Sequence, residues 1–472
     1  MFVRQFQLEG LGHISTLIGD EEAGVAAVID PRRDVDVYVE AAGGRGLRIS
    51  HAIETHLHND YVSGGHELAA ATGADVLIGA RAELGYDHHP MRDADVEMVG
   101  RLKFRVLDTP GHTPEHVAYS VADTTRADEP LLMFTGGSLL VGAVGRTDLL
   151  GAAHARPYAE AMFHSLHDAI LAHEDFVAIL PTHGAGSLCS TGIGSTPSST
   201  IGFERRYNPL LRPADVDAFA RLLLAGQPAV PRYFARMRAL NRAGPRVLGG
   251  LPAPIPVGLA ELPGLLGAGA ALVDLRPPEA FAASHIPGSL SIPAGSSFGT
   301  WLGWVVDLDR PVVLVLPESS GDQDRAEAWD DATRQALRIG QESILGYLEG
   351  GVDAWAAAGR PTESNGRIGV PALARAVEQG GGDAPLVVDV RQPSEFDAGH
   401  VPGAWHIGAG DLPGRLADLP RDRPIAAMCA SGYRASVATA LLDAAGFTNV
   451  SWVAGGVDEW AARGLPLEHS RT

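Results

Sequence analysis

Short apolar runs separated by glycine- and proline-rich turns recur along the whole chain. Leu386 to Val390 and Pro424 to Met428 are apolar almost throughout, the pattern of strands buried on both faces. Ala435 to Ala445 switches to helical spacing and ends at Gly446. Ala26 to Asp30, Ala74 to Ile78 and Val177 to Leu180 are further predicted strands, several ending in polar residues. The longest apolar stretch, Leu131 to Gly145, is interrupted by Thr135, Gly136, Gly137, Ser138 and Gly142. It is too short and too glycine-rich to span a bilayer, and reads as a buried strand and turn.

The second half of the chain repeats itself. Val273-Asp-Leu-Arg276 and His285-Ile-Pro-Gly288 return as Val388-Asp-Val-Arg391 and His400-Val-Pro-Gly403, each 115 positions later. Gly350-Gly-Val-Asp-Ala-Trp355 returns as Gly455-Gly-Val-Asp-Glu-Trp460, 105 positions later, so loops were gained or lost between the copies. A unit this long is a duplicated domain. Gly249 to Pro256 and Arg360 to Gly366 read as linkers, because proline and glycine at that density block regular structure. Three domains are expected, at 1–245, 255–362 and 366–470, in keeping with the 472 residues.

A formal net charge of -20 repels phosphate backbones and anionic lipids, which excludes nucleic-acid and membrane-surface partners. Any site for an anionic thiol must build its own positive field. Two cysteines, Cys189 and Cys429, lie in different expected domains, so a reducing compartment fits better than a disulfide framework. The residues after Met1 form no signal-peptide core, and a cytoplasmic location is expected. A homo-oligomer stays open.

The strongest chemical motif is Cys429-Ala-Ser431-Gly432-Tyr433-Arg434, between a predicted strand and a predicted helix. Such a bend can aim several backbone N–H groups and a helix N-terminus at one sulfur, favouring a thiolate or persulfide. Arg434 adds positive charge, Gly432 permits the curvature, and Ser431, Gly432 and Tyr433 are candidate substrate contacts. The bland alternative is a small buried cysteine. With Glu395-Phe396 and Gly399 to Gly403 in order, this repeat resembles the rhodanese family. The resemblance implies a sulfurtransferase in which Cys429 carries a persulfide, with thiosulfate or sulfite as partner. A phosphatase uses Cys and Arg similarly, but its loop is one residue longer. In the middle repeat Leu316 stands where Cys429 sits, followed by Pro317-Glu318-Ser319-Ser320-Gly321-Asp322. Leucine cannot attack sulfur, so this domain is expected to be inactive. His285 and His400 read as structural.

Histidines cluster in the first segment, in Thr55-His56-Leu57-His58-Asn59-Asp60-Tyr61, Thr109-Pro-Gly-His112 and Pro181-Thr-His183-Gly184. Several imidazoles at strand ends, each beside Gly, Thr or Pro, suit a metal pocket. Cys189, His51, His66, His88, His89 and His173 read as structural. With Leu11 to Gly19, Ala27 to Pro31 and Gly145-Arg-Thr-Asp148, the segment resembles the metallo-β-lactamase superfamily, and more narrowly persulfide dioxygenase relatives fused to rhodanese domains. That implies an α/β fold: an αββα sandwich followed by two rhodanese-like domains with parallel sheets.

Two departures matter. The superfamily's His-x-His-x-Asp-His ends in Tyr61, and its Thr-Gly-Asp reads Thr135-Gly136-Gly137. Both disfavour a two-metal hydrolase. The resemblance implies one Fe(II) per chain, with zinc or no metal as alternatives. It carries His56 and His112 over as ligands, while the third position falls on Gly137. His58, Asp60 or His183 could take that place. Arg146 and the Arg205-Arg206-Tyr207 cluster are candidates for the carboxylates of a glutathione-like thiol or persulfide. The expected function is persulfide oxidation toward sulfite joined to sulfur transfer, fusion raising the effective concentration between the sites. A transferase with a non-catalytic scaffold or thiol sensor in front, and a non-enzymatic partner-binding protein, are the alternatives.

Overall fold

The computed structural model describes residues 1–318, 321–381 and 384–470. The chain divides into two compact units, one of Met1–Leu251 with Leu337–Gly340, the other of Pro252–Ala336 with the chain from Gln341 onward.

The first unit is built on two six-stranded sheets. One runs in the order β1 (Phe2–Leu8), β2 (His13–Asp20), β3 (Val25–Ile29), β4 (Arg48–Ile53), β5 (Asp75–Gly79), β6 (His89–Met91). The other contains β7 (Val96–Val99), β8 (Leu102–Asp108), β9 (Val117–Asp123), β10 (Leu132–Gly136), β13 (Ala178–Pro181) and β14 (Ser199–Thr200). Between β10 and β13 a small hairpin pairs β11 (Leu139–Leu140) with β12 (Ala143–Val144). Leu131 to Gly145 is therefore a strand and hairpin, as its glycines predict. The expected strands fall within a residue of β3, β5 and β13.

Strand residues of both sheets meet face to face. Ile18, Ile29, Ile53 and Leu77 from one pack with Phe104, Val106, Tyr119, Val121 and Phe134 from the other. The outer face of the first sheet buries Leu17, Val28 and Ile49 against helices carrying Tyr38, Ala42 and Leu68. The outer face of the second buries Met133 and Ile179 against Ala159, Met162 and Phe219. The layers run helix, sheet, sheet, helix. That is why β2 is buried along its whole length: one face meets the opposite sheet and the other meets helices.

The second unit holds two sheets of five strands, with every pairing parallel. They are ordered β15 (Pro256–Val257), β19 (Ile344–Leu348), β18 (Val312–Val315), β16 (Ala271–Asp274), β17 (Leu290–Ser291), and β20 (Gly366–Gly369), β24 (Val450–Ala454), β23 (Ile425–Met428), β21 (Leu386–Asp389), β22 (Trp405–His406). The strand order is the same in both, as a duplication requires. Asp274 pairs in register with Val315, and Asp389 with Met428. Leu316 thus leaves its strand at the point where Cys429 leaves its own. Ser319 and Ser320 of the middle loop lie outside the described residues.

The two repeats touch directly: Ser291 Oγ lies 2.6 Å from Ser436 Oγ, His285 Nε2 lies 2.9 Å from Asp443 Oδ2, and the Tyr433 hydroxyl donates to the Pro293 carbonyl at 3.0 Å. His285 and His400 each place Nδ1 on the carbonyl four residues before it, at 2.9 Å, a structural use of the ring. Among the described residues no helix is long and apolar enough to cross a membrane.

Candidate functional site

His112, Gly137 and His183 follow β8, β10 and β13, which run in the same direction, and His56 follows β4. The loops therefore converge on one edge of the sandwich. His183 is drawn in by backbone bonds from Ile14 N to Thr182 O and from Gly184 N to Gly12 O, both 2.7 Å. One nitrogen from each of His56, His112 and His183 lies within 4.8 Å of the others, and all three rings are buried.

The hydrogen bonds set the tautomers. The Thr55 hydroxyl donates to Asp30 Oδ2 at 2.9 Å, so it accepts from His56 Nδ1–H at 2.8 Å. His112 Nδ1–H donates to the Arg146 carbonyl at 2.7 Å. Both rings must then carry a lone pair on Nε2, and both Nε2 atoms are buried without a partner. Burial first, and the neighbouring imidazoles second, hold His56 well below the usual histidine range and His112 at about 3. His183 goes the other way: burial opposes its protonation, but Cys189 and Asp60 outweigh that and raise it well above the usual histidine range. Two neutral imidazoles with buried, unpartnered Nε2 atoms, and a third buried ring beside them, suit one divalent cation of zinc or iron type.

Gly137 does not merely lack a carboxylate; it has no room for one. Its N–H donates to His116 Nε2 at 2.9 Å, and a Cβ there would lie 2.3 Å from His112 Cδ2. The third place in the cluster is taken by His183.

The other two substitutes are placed differently. His58 turns its Nε2 to Glu54 Oε2 at 3.1 Å and Asp30 Oδ1 at 3.3 Å, and stands apart from the three-imidazole group. Burial opposes its protonation, but the two carboxylates outweigh that and raise it to about 9. His58 thus faces an acid pair, Asp30 and Glu54, and is not one of the three clustered imidazoles. Tyr61 stacks on His58 at 4.4 Å and donates to the Asp30 carbonyl at 3.3 Å. Asp60 faces His183, with Oδ2 3.4 Å from Nδ1, and groups with His183 and Cys189 rather than with His56 and His112.

Arg146 and Tyr207 do not offer what the sequence suggested. Arg146 is 5% exposed, forked onto Asp148 at 2.6 and 2.8 Å, with Nη1 on the carbonyls of Leu188 and Pro228. Four of its five N–H donors are spent on these internal partners, and its carbonyl orients His112. Tyr207 is 55% exposed against Phe203, and Arg205 is paired with Asp175, so these are outer-surface groups while the imidazoles are buried.

At the cysteine loop, Cys429 follows β23 and helix Tyr433–Ala444 begins four residues later. Several amides were expected at the sulfur; among the described residues Gly432 N–H donates to it, 3.1 Å from Sγ. Gly432 adopts φ +122°, and its carbonyl accepts from Trp452 Nε1 at 2.8 Å. Arg434 makes a fork onto Glu395 at 2.6 and 2.7 Å, which fixes the guanidinium and offsets its charge. Ser431 is exposed, Tyr433 is partly buried against the first repeat, and Cys429 is 1% exposed.

Sequence reasoning passed over Asp30, Glu54 and His116. Asp30 takes a left-handed φ of +48° and accepts from Thr55 N–H at 2.7 Å and from the hydroxyls of Thr55 and Thr182. A lone Asp-Pro pair after an apolar strand was the available signal. His116 and Glu54 carry no local signal, since their roles depend on Gly137 and His58.

A family model described as Rhodanese-like domain matches residues 259–358 and 372–463. The chain is similar to a hydroxyacylglutathione hydrolase of Methylococcus capsulatus, 32% identical over 47% of this chain and 91% of that protein. It is also similar to the mitochondrial persulfide dioxygenase ETHE1 of Bos taurus, 31% identical over 41% of this chain and 70% of that protein. A crystal structure of a metallo-β-lactamase from Staphylococcus aureus subsp. aureus COL shares 32% identity, with a TM-score of 0.65, over 74% of this chain and 98% of the other.

Proposed function

Because the chain belongs to the metallo-β-lactamase-fold family that includes hydroxyacylglutathione hydrolases and persulfide dioxygenases, with rhodanese-like domains behind it, we propose that it oxidises a low-molecular-weight persulfide and transfers sulfane sulfur through Cys429. In this reading 1–245 is the oxidising module, 255–362 a thiol-free rhodanese-like module and 366–470 the transfer module. The observation that carries it is the pair of buried, tautomer-fixed Nε2 lone pairs on His56 and His112, closed by His183.

His56, His112 and His183 would hold one divalent ion, with Fe(II) supplying dioxygen activation when bound. The overall change is RSSH with dioxygen and water to RSH, sulfite and two protons. Arg146 O and Thr55 Oγ1 keep two rings in the metal-binding tautomer. Loss of Tyr61's ring to His58 and the absence of a side chain at 137 weigh against a two-metal hydrolase. At the second centre, the Cys429 thiolate attacks the outer sulfur of thiosulfate. The S–S bond breaks, sulfite leaves with its electron pair, and the persulfide anion is held by Gly432 N–H.

Metal analysis of freshly purified protein with oxygen uptake on glutathione persulfide tests the first activity. Bound iron and sulfite production are expected; neither would leave a sulfurtransferase alone. Thiosulfate-to-cyanide transfer tests the second, and unchanged transfer in Cys429→Ser overturns it.

A further inference from the structure

We propose that Arg338 is a positioning residue for the histidine cluster, clamping the loop that carries His56 and Asp60. This rests on the metal reading above, because it names what holds that loop in shape. Between β4, which ends at Ile53, and the helix that starts at Gly65, the chain forms no helix or strand. Its buried backbone groups therefore need partners from elsewhere. Asn241 supplies several: Oδ1 accepts from Ser63 N–H, and Nδ2 donates to the carbonyls of His58 and Tyr61, all at 2.9 Å. Val62 N–H lies among them in sequence, and its acceptor is the Arg338 carbonyl at 2.7 Å. Arg338 is the last residue of helix Asp322–Arg338, where carbonyls have no partner within the helix.

The side chain of the same residue grips a second segment. Its Nε and Nη2 fork onto the Asp34 carboxylate at 2.9 and 2.6 Å, and both groups are buried. Burial pushes the Asp34 carboxyl up, but Arg338 outweighs that and holds it below the usual carboxylate range. Asp34 stands just after Asp30, the carboxylate that fixes Thr55 and through it the His56 tautomer. The two segments run against each other: Arg32 pairs antiparallel with Ser63, and Gly64 N–H donates to the Pro31 carbonyl at 2.7 Å. Arg338 thus ties both, by its carbonyl on one and its guanidinium on the other.

Leu337–Gly340 belongs to the first unit, although in sequence it falls inside the thiol-free repeat. Leu337 and Ile339 are buried, and Gly340 turns the chain with φ +86°. A Cβ on Gly340 would lie 3.4 Å from Val62 Cγ2, so the segment packs directly on the histidine loop. Removing one side of a buried Arg–Asp fork leaves the other charge uncompensated, which loosens whatever the fork holds. The repeat at 255–362 thereby has a part in the first activity without any chemistry of its own.

The test uses the full chain with Arg338→Met, Arg338→Lys and Asp34→Asn. The control is Arg325→Met, on the same helix and paired with Asp322 at 2.9 Å. Hydrogen exchange of residues 57–64 is followed in chelator-treated protein, and Co(II) affinity by competition with a chromophoric chelator. In Arg338→Met and Asp34→Asn, exchange should quicken at least about tenfold and affinity should fall about tenfold. Arg338→Lys, which keeps the charge but not the fork, should lie between them and the parent, and Arg325→Met should match the parent. Thiosulfate-to-cyanide transfer shows that each variant keeps a folded second unit. If Arg338→Met does not fold, Asp34→Asn and Arg338→Lys carry the test. Unchanged exchange, or faster exchange with affinity at the parent value, overturns the positioning role. A parent chain that binds no cobalt overturns the metal reading instead, and exchange then decides on the clamp by itself.

Discussion

A Cβ on Gly137 would fall 2.3 Å from Cδ2 of His112, inside the contact distance of any real side chain. The glycine is thus part of how the His112 ring is seated. Putting an aspartate at that position should not rebuild a two-histidine, one-carboxylate site. Gly137→Asp is expected to cost about 1–3 kcal/mol by overpacking and to lower metal affinity. Thermal unfolding with and without metal checks it; tighter metal binding in the variant would contradict the geometry.

Thr55 relays the Asp30 carboxylate to His56 Nδ1. Thr55→Ala removes the acceptor that selects the metal-binding tautomer, and about 10- to 100-fold weaker metal binding is expected. Competition against a chromophoric chelator measures this, with unfolding in parallel to separate affinity from stability.

His58 sits between Glu54 and Asp30 with its proton affinity raised from 6.5 to about 9. A raised folded value means the stabilisation is fully present below 6.5 and is lost as pH climbs through about 9. The shift corresponds to at most about 3 kcal/mol. Chelator-treated protein should therefore lose stability between pH 6.5 and 9. In His58→Gln that alkaline loss should shrink. Denaturant midpoints across the range read it, and an unchanged slope in the variant would count against the ion triad.

Gly432 holds its amide on Cys429 Sγ only by adopting φ +122°, a conformation side chains resist. A Cβ there would also lie 3.2 Å from the Trp452 ring. Gly432→Ala is expected to cost about 1–3 kcal/mol and to reduce thiosulfate-to-cyanide transfer well below the parent rate. Steady-state kinetics at saturating thiosulfate would reveal it.

Features that live in short windows were legible along the chain. The 115-residue repeat, the apolar runs that became β21 and β23, the helix after Cys429 and the missing thiol at Leu316 are all local patterns. Strand burial and turn chemistry act over a handful of residues, so they can be read along the chain. Which donors meet was decided elsewhere. His183 reaches His56 and His112 across more than 70 positions, and His58 was diverted by Asp30, 28 positions earlier. Arg146 was closed off by Asp148 and the carbonyls of Leu188 and Pro228, and Cys189 was set beside Asp60. A buried charge takes whichever partner the packed sheets bring within about 3 Å, and that choice belongs to the tertiary structure alone.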